Sequence, residues 1–476
     1  MEEKFTDAKV GSECFVTFRD DRGLETQGLV RRLGRFQVAF EVCSPLPSYR
    51  VSEVIKDFKI VIDGRAEYSG SAVVENLITT ASVTSCEASL GKGWNDVESP
   101  AVADGSDGLQ VSFSGLIQRW QHFYKVRSDY KHLLIDMQSF LTDMESWLGQ
   151  VELRLGALSD KVRPDVENRI VRDLEKAAAP ALDNLFERFE VATKEVESGM
   201  GAAYRVLCRR QLHRFFMSCP FMHRIYSKPL GYAGDYEMMN MIWRNEAAGS
   251  SLFAKLLNVY ILDQAPARSV RNRVVHMTQR IAEETMRVST LGRPARIYSL
   301  GCGPAREVEN FLPNSLADQA VFQLMDFDDE TLSYTEGRME AARRANHRST
   351  RFKFVKKSVY YLLKESGKPA NPAEQFDLIY SSGLYDYLND RVSRTVNTHL
   401  YDQLSPGGVL IISNFEPSNP IRNLMEYAFE WFLIHRNSCQ MKAIGPAQVS
   451  PEACEVRADP TGCNVFLEVR KPVDAI

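Results

Sequence analysis

The segment best suited to chemistry is a glycine loop in the C-terminal half of the chain. It reads Ser299-Leu300-Gly301-Cys302-Gly303-Pro304-Ala305-Arg306-Glu307, after a strand-like run and before a helical one. Glycines permit a tight turn and let the backbone approach a ligand without a Cβ clash. Arg306 stands where the dinucleotide fingerprint GxGxxG would have its last glycine, so the full fingerprint is absent.

An acidic residue follows at the end of the next predicted strand. Asp326 could accept hydrogen bonds from both hydroxyls of a ribose, and Phe327 could pack on an adenine face. The alternative is that Asp326 belongs to the N-terminus of a helix that begins at Asp328.

Two further loops contain small residues directly after strands. Ser358 and Val359 come after the third strand, where an adenine edge would lie, although Ser358 could equally be a helix cap. Ser381 and Gly383 follow the fourth strand and let the chain pass close to a ligand. A Leu-x-Pro-Gly-Gly turn over 404–408 then precedes a strong strand.

In this order of motifs, residues 226–476 resemble the class I S-adenosylmethionine-dependent methyltransferases. The resemblance implies S-adenosyl-L-methionine as the cofactor and no metal. The residues it places on the cofactor are Gly301, Cys302, Gly303, Glu307, Asp326, Phe327, Ser358, Val359, Ser381 and Gly383. One departure is Ser299, where these enzymes commonly have an acid that contacts the methionine part. Another residue must therefore hold the amino group.

A narrower resemblance concerns four short segments: Lys228–Met239, Leu300–Glu307, Gly383–Leu388 and Trp431-x-x-x-His435-Arg436. They are similar to a bacterial methyltransferase family associated with a 3-hydroxy-fatty-acid methyl ester, a quorum-sensing signal of the extracellular-factor type. This resemblance implies O-methylation of a small-molecule acid, with a fatty acid as the leading acceptor.

Residues upstream of the glycine loop could complete the cofactor site. Tyr232 and Asp235 lie in a Gly-rich turn that could be a lid over the cofactor, or a helix N-terminus with Asp235 as its cap. Arg271 and Arg273 lie on the helix before the glycine loop. One of them, for which we take Arg273, could pair with the cofactor carboxylate, because arginine binds carboxylates in a bidentate manner.

The acceptor side is expected to contain the catalytic candidates Tyr385, Asp386, His435 and Arg436, with the last two on a helical stretch. An ionised carboxylate acceptor is already nucleophilic, so positioning would dominate and Arg436 would anchor the acid. A hydroxyl or amine acceptor would instead need a base, for which His435 and Asp386 are the candidates.

The elements that must position these residues fall into distinct segments. Alternating strand and helix patterns over 226–476 predict an α/β fold with a doubly wound, mostly parallel, seven-stranded sheet of the methyltransferase type. The last strands are expected at Ala443–Ile444 and Val465–Val469. Residues 113–225 are predicted to be helical, 87–112 a linker, and 1–86 a small β-rich domain.

The N-terminal domain carries a possible phosphate-binding pair. Arg31 and Arg35 precede a strand in an R-x-x-x-R spacing that resembles a degenerate PilZ-type barrel, the cyclic-di-GMP module. The partner D/N-x-S-x-x-G motif is missing, so we expect no tight binding of cyclic-di-GMP.

Composition excludes several classes. The chain has 476 residues and a net charge of -4 from 58 basic and 62 acidic residues, so no global positive field favours nucleic acid. No apolar run reaches the roughly 20 residues of a membrane helix. The nine cysteines are scattered without a CxxC pair, which favours reduced thiols in the cytoplasm. Oligomeric state is left open.

Two rival functions remain at this point. One is a regulatory protein that binds cofactor or a signalling nucleotide without turnover, which Ser299 favours. The other is methylation of RNA or protein, although no N/D-P-P-[YFW] element follows strand four, which counts against amino-group methylation of bases.

Overall fold

The computed structural model describes residues 14–19, 25–34, 36–43, 49–62, 64–79, 83–91, 113–114, 117, 125–159, 161–196, 200–366 and 374–473. The chain divides into two compact units. The first comprises 1–233, 247–258 and 421–432, and the second comprises 234–246, 259–420 and 433–476.

The first unit contains a closed antiparallel barrel of six strands. They are β1 Cys14–Arg19, β2 Glu25–Leu33, β3 Gln37–Cys43, β4 Val54–Ile62, β5 Arg65–Thr79 and β6 Val83–Leu90, in the order β1-β2-β3-β6-β5-β4. Because successive side chains of a strand point to opposite faces, Phe18, Phe40 and Phe58 point inward and share one core. β6 passes the predicted boundary at residue 86, because Glu87 and Ala88 pair with both β3 and β5.

The other described elements of the first unit are helices, as predicted for the middle region. They are α1 Ser128–Leu155, α2 Arg163–Thr193, α3 Gly201–Phe216 and α4 Pro220–Ser227, joined by α12 Arg422–Phe429 from much later in the chain. α6 spans Leu252–Leu262 and belongs to the first unit up to residue 258. The periodic face of α1 is buried at Leu133, Met137 and Leu141.

The second unit contains a seven-stranded sheet. Its strands are β7 Ala295–Leu300, β8 Ala320–Asp326, β9 Arg351–Lys356, β10 Phe376–Ser382, β11 Leu404–Phe415, β12 Glu455–Ala458 and β13 Asn464–Arg470, in the order β12-β13-β11-β10-β7-β8-β9. β7 to β11 pair in parallel, and β13 runs antiparallel to β11 and β12. The predicted mostly parallel α/β fold is confirmed.

Helices cover both faces of this sheet. They are α5 Tyr236–Arg244, α7 Ala265–Ser289, α8 Arg306–Phe311, α9 Asp329–Ala345, α10 Val359–Glu365, α11 Asp390–Asp402 and α13 Ser438–Ala443. Each face has its own apolar core, one with Ile281 and Phe322, the other with Val396 and Ile379. The strand predicted at Ala443–Ile444 is wrong, because the capping box at Asn437 starts α13 at Ser438 and the helix runs through Ala443 to its C-cap at Ile444.

Within the described ranges, no helix combines the length and apolar character needed to cross a lipid bilayer.

Candidate functional site

The glycine loop turns at the carboxyl end of β7, at the centre of the sheet. Gly301 and Gly303 have φ angles of +66° and +51°, a region that favours glycine. A Cβ atom on Gly301 would lie 3.3 Å from Cβ of Leu384, whereas one on Gly303 would meet nothing within 4 Å. The backbone at Gly303 therefore faces open space and can be approached by a ligand.

Asp326 holds this loop from the end of β8. Its Oδ2 accepts a hydrogen bond from the Gly303 N–H at 3.0 Å, and its Oδ1 accepts one from the Phe327 N–H at 2.8 Å. Asp328, not Asp326, caps α9 by accepting from the Thr331 N–H at 2.7 Å. An ionised carboxylate can accept about four hydrogen bonds, and Oδ1 of Asp326 also accepts one from the Asp328 N–H at 3.3 Å, so ribose hydroxyls would share its oxygens with the loop backbone.

Two other predicted cofactor residues, Cys302 and Ser381, hold the ends of neighbouring strands together. The Cys302 N–H donates to the Met325 carbonyl at 2.9 Å, and burial raises the pKa of its thiol. Ser381 Oγ donates to the Leu300 carbonyl at 2.8 Å. Ser358 stands at the N-cap of α10 without a capping hydrogen bond from its side chain, while Val359 is buried in the core.

Arg273 is a buried charged group with an unengaged donor beside the loop after β10. The residue is 4% exposed, and its Nη2 contacts Met239 Sδ at 3.9 Å. Its Nη1 has no hydrogen-bond partner among the residues that the structure describes. It lies against Gly383, where a Cβ would come 3.0 Å from both terminal nitrogens. A buried guanidinium with a free N–H is costly without an anion, so the site fits the carboxylate of S-adenosylmethionine.

Arg271, two residues earlier, is excluded from this role by its contacts. Its Nη1 donates to the Leu262 carbonyl at 2.8 Å and to the Ile242 carbonyl at 3.3 Å. The choice of Arg273 made from the sequence is therefore the one that the geometry favours.

The lid residues are divided between the two units. Asp235 caps α5, its Oδ1 accepting from the Met238 N–H at 2.8 Å, which is the helix-cap alternative. Tyr232 belongs to the first unit, where its backbone forms a bridge with Glu53.

Asp386 is the acceptor-side residue that the structure leaves best suited to chemistry. It is buried in the short 3₁₀ turn Leu384–Tyr387 after β10, and its Oδ1 accepts from the Phe415 N–H at 2.7 Å. Burial raises the pKa of this carboxyl to about 7, although the charges of Arg273 and Arg436 oppose the shift. A group that titrates near neutrality can give or take a proton.

Arg436 does not fit its expected role as a substrate anchor. Its residue is 1% exposed, and its five N–H groups donate to Asp390 Oδ1 twice and to Tyr385 O, Asn414 Oδ1 and Leu388 O once each. Because arginine has five donors, none remains for an acceptor carboxylate. Arg436 instead fixes the loop after β10.

Tyr385 and His435 also differ from expectation. The Tyr385 hydroxyl donates to Asn397 Oδ1 at 2.6 Å in the core, which is a structural contact. His435 is half-buried, with Nδ1 3.1 Å from the Leu433 carbonyl. Neither it nor Arg436 lies on a helix, because α12 ends at Phe429 and Glu430 adopts a left-handed conformation.

Two tyrosines make contacts at the site. Tyr380 Oη donates to Glu307 Oε1 at 2.8 Å, and Tyr387 Oη lies beside Gly234. Tyr380 is not predicted as a site residue from the sequence, because it lies inside a strand and no local signal marks it. Tyr387 belongs to the segment Gly383–Leu388, which the sequence predicts on the acceptor side.

Comparison with known proteins gives a family match and a distant relative. Residues 231–437 match the family described as "Putative methyltransferase". The chain is 25% identical over 190 residues to the uncharacterized protein YnbC of Escherichia coli (strain K12), a match that covers 38% of this chain and 30% of YnbC.

Two solved structures that match parts of the chain have low identity to it. A possible exported protein from Bordetella parapertussis is 16% identical, with a TM-score of 0.40, covering 63% of this chain and 97% of that chain. The N-methyltransferase NodS from Bradyrhizobium japonicum, in complex with S-adenosyl-L-homocysteine, is 16% identical with a TM-score of 0.29, covering 49% and 98%.

The segment matched by the family contains the glycine loop, Asp326, Arg273 and the loop after β10. Loop geometry, an oriented acid and an unengaged buried guanidinium fit one cofactor. Residues 231–437 are therefore similar to a methyltransferase family, and their site fits S-adenosylmethionine as the cofactor.

Proposed function

We propose that this enzyme methylates a carboxylate oxygen of a small-molecule acid, with a 3-hydroxy fatty acid as the leading acceptor and its methyl ester as the product. The motif resemblance of Lys228–Met239 and Gly383–Leu388 supports this acceptor. The proposal rests above all on Asp386, a buried carboxyl group beside the guanidinium that fits the cofactor.

The bound cofactor supplies an electrophilic methyl group on its sulfonium. The chain's own residues then have to orient the acceptor oxygen and keep water away from it. With a pKa of about 7, Asp386 is partly protonated at neutral pH and can donate a hydrogen bond to an acceptor carboxylate. This role replaces the anchoring that Arg436 cannot provide.

The same carboxyl group also fits a second class of acceptor, a hydroxyl group. In its ionised form, Asp386 can take the proton from a hydroxyl as that oxygen becomes methylated, which gives an ether. A 3-hydroxy acid carries both groups, so the position of the methyl group separates the two functions.

The test uses methyl-labelled cofactor and three acceptors: a 3-hydroxy fatty acid, its methyl ester, and the fatty acid without the hydroxyl. Methylation of the carboxylate predicts label in the first and third, released as methanol by alkali. Label in the ester, stable to alkali, would overturn the proposal in favour of the hydroxyl. If none of the three is labelled, fatty acids are not the acceptor.

The variant Asp386→Asn sharpens the distinction. An amide can still donate a hydrogen bond, so ester formation should fall by about tenfold at most. Ether formation should fall by roughly 10²- to 10⁴-fold, because the base is gone. Calorimetric binding of S-adenosylhomocysteine shows whether the variant keeps its cofactor site.

A further inference from the structure

Ser299 of β7 stands where class I methyltransferases commonly have an acid. It is buried at the end of β7, directly opposite Tyr380 of β10 in the register of the two strands. The Ser299 hydroxyl hydrogen-bonds to the hydroxyl of Tyr380. This strand position therefore offers no negative charge to a cationic ligand.

A carboxylate is nevertheless connected to the same place. Tyr380 donates its hydroxyl hydrogen to Glu307 Oε1 at 2.8 Å, so Ser299, Tyr380 and Glu307 form one chain of hydrogen bonds. Glu307 stands in the first turn of α8, just beyond the glycine loop, and is 6% exposed. The acid at this site is therefore on the helix that follows the loop, and not on the strand that precedes it.

Glu307 and Arg273 present opposite charges without neutralising each other. Their charges interact, yet within the described part of the chain Nη1 of Arg273 has no hydrogen-bond partner, and Nη2 contacts the sulfur of Met239. Burying two charges that are not directly paired is unfavourable unless a ligand completes both. A zwitterionic amino-acid group has the complementary arrangement, with one ammonium and one carboxylate.

We propose that Glu307 binds the α-ammonium group of the cofactor's methionine part while Arg273 binds its α-carboxylate, so that Glu307 replaces the acid missing at Ser299. This assignment rests on the use of S-adenosylmethionine by the enzyme. It predicts that the cofactor is recognised by its amino-acid end at two separable points.

Burial supports the same pairing. It raises the pKa of Glu307, because one tyrosine hydroxyl is a weak replacement for water around a carboxylate. An ammonium ligand would reverse that shift. The competing acid, Asp386, is already tied to the Phe415 N–H and faces both Arg273 and Arg436.

The test is calorimetric titration with S-adenosylhomocysteine and two analogues, one without the amino group and one without the carboxylate. Glu307→Gln keeps an oxygen for Tyr380 but loses the charge. It should weaken S-adenosylhomocysteine about 10- to 100-fold and leave the deamino analogue unchanged. Arg273→Gln should weaken both of these and leave the decarboxylated analogue unchanged.

A second variant moves the acid back to the strand. Ser299→Asp in the Glu307→Gln background should restore at least half of the lost binding free energy, whereas a merely structural role for Glu307 would give no rescue. Unchanged affinity of Glu307→Gln for the deamino analogue shows that the variant is folded.

The outcomes separate the two levels of the assignment. If the wild type fails to bind S-adenosylhomocysteine, the cofactor itself is wrong. If it binds and Glu307→Gln binds equally well, or if Asp386→Asn alone shows the loss specific to the amino group, Glu307 is not the ammonium partner and the proposal is overturned.

Discussion

Gly234 lies against the hydroxyl group of Tyr387, so closely that a Cβ atom on Gly234 would come within 2.6 Å of Tyr387 Oη. Gly234 also has a φ angle of +85°. Both conditions require glycine at this position. The contact holds the segment before α5 against the loop after β10. That loop also carries Asp386, so the contact bears on the position of the acceptor-side carboxyl.

Replacing Gly234 by alanine should therefore lower the free energy of unfolding for two reasons. The left-handed backbone costs an L-residue about 1–2 kcal/mol, and the clash with Tyr387 adds to that. Gly231→Ala is the matched control, because Gly231 has φ +89° with nothing within 4 Å of its Cβ position. Chemical denaturation should show the larger loss for Gly234→Ala, and Tyr387→Phe should recover part of it. Equal losses in the two alanine variants would contradict the clash.

Asp326→Ala should weaken binding of S-adenosylhomocysteine by about 2–4 kcal/mol, because two charge-assisted hydrogen bonds to the ribose are lost. Calorimetry measures the change, and Asp328→Asn is the control, since asparagine also caps helices well. Asp326 additionally holds the Gly303 N–H, so a 2′-deoxy analogue is needed. The wild type should bind this analogue more weakly than S-adenosylhomocysteine, whereas Asp326→Ala should bind the two ligands equally. A variant that binds as tightly as the wild type would refute the ribose assignment.

Arg436→Ala should destabilise the fold by about 3–5 kcal/mol, because it leaves buried acceptors on Tyr385, Leu388 and Asn414 without donors. Asp390→Asn should cost less than about 1 kcal/mol, since the Asp390 side chain is 71% exposed. Denaturation midpoints of both variants give the comparison. If Arg436→Ala were as stable as the wild type but raised the acceptor KM, the anchoring role would be restored.

Lys228 should make stability depend on pH. Burial lowers the pKa of its ammonium from 10.5 to about 7, and its Nζ donates to the Phe429 carbonyl at 3.3 Å. Between these pH values the unfolded chain holds a proton that the folded chain has released, so rising pH favours the folded state. From pH 7 to 9, the wild type should gain up to about 1.4 kcal/mol per pH unit relative to Lys228→Met.

The control for this pH series is Lys161→Met, at an exposed lysine. Urea denaturation at several pH values gives the slopes. Parallel curves for the wild type and Lys228→Met would mean that Lys228 does not titrate in this window.

Cyclic-di-GMP should not bind tightly to the barrel. Arg31 is engaged through Nε and Nη2 with Glu41 Oε2, at 2.8 and 2.6 Å, and Arg35 lies outside the described residues. Fluorescence or calorimetric titration of the full chain is the measurement. A sub-micromolar dissociation constant that Arg31→Ala plus Arg35→Ala abolishes would show that the signalling nucleotide has a site here after all.

The sequence by itself was enough for the sheet and for the cofactor loop. Strand and helix periodicity, glycines at a turn and an acid at the next strand end are local signals, and the parallel connection of β7 to β8 brings Gly303 and Asp326 together automatically. The same reasoning failed at Ala443–Ile444, where the apolar pair reads equally as strand or helix until the cap at Asn437 is considered.

Only the tertiary structure decided which charged side chains remain available. Arg271 and Arg273 differ by two helix positions and so face different sides, where one meets carbonyl groups and the other lies against Gly383. Arg436 has the residue type of a carboxylate anchor, yet its partners lie 22 to 51 positions away in the chain. No local pattern records such partners, because donor occupancy is a property of packing between distant segments.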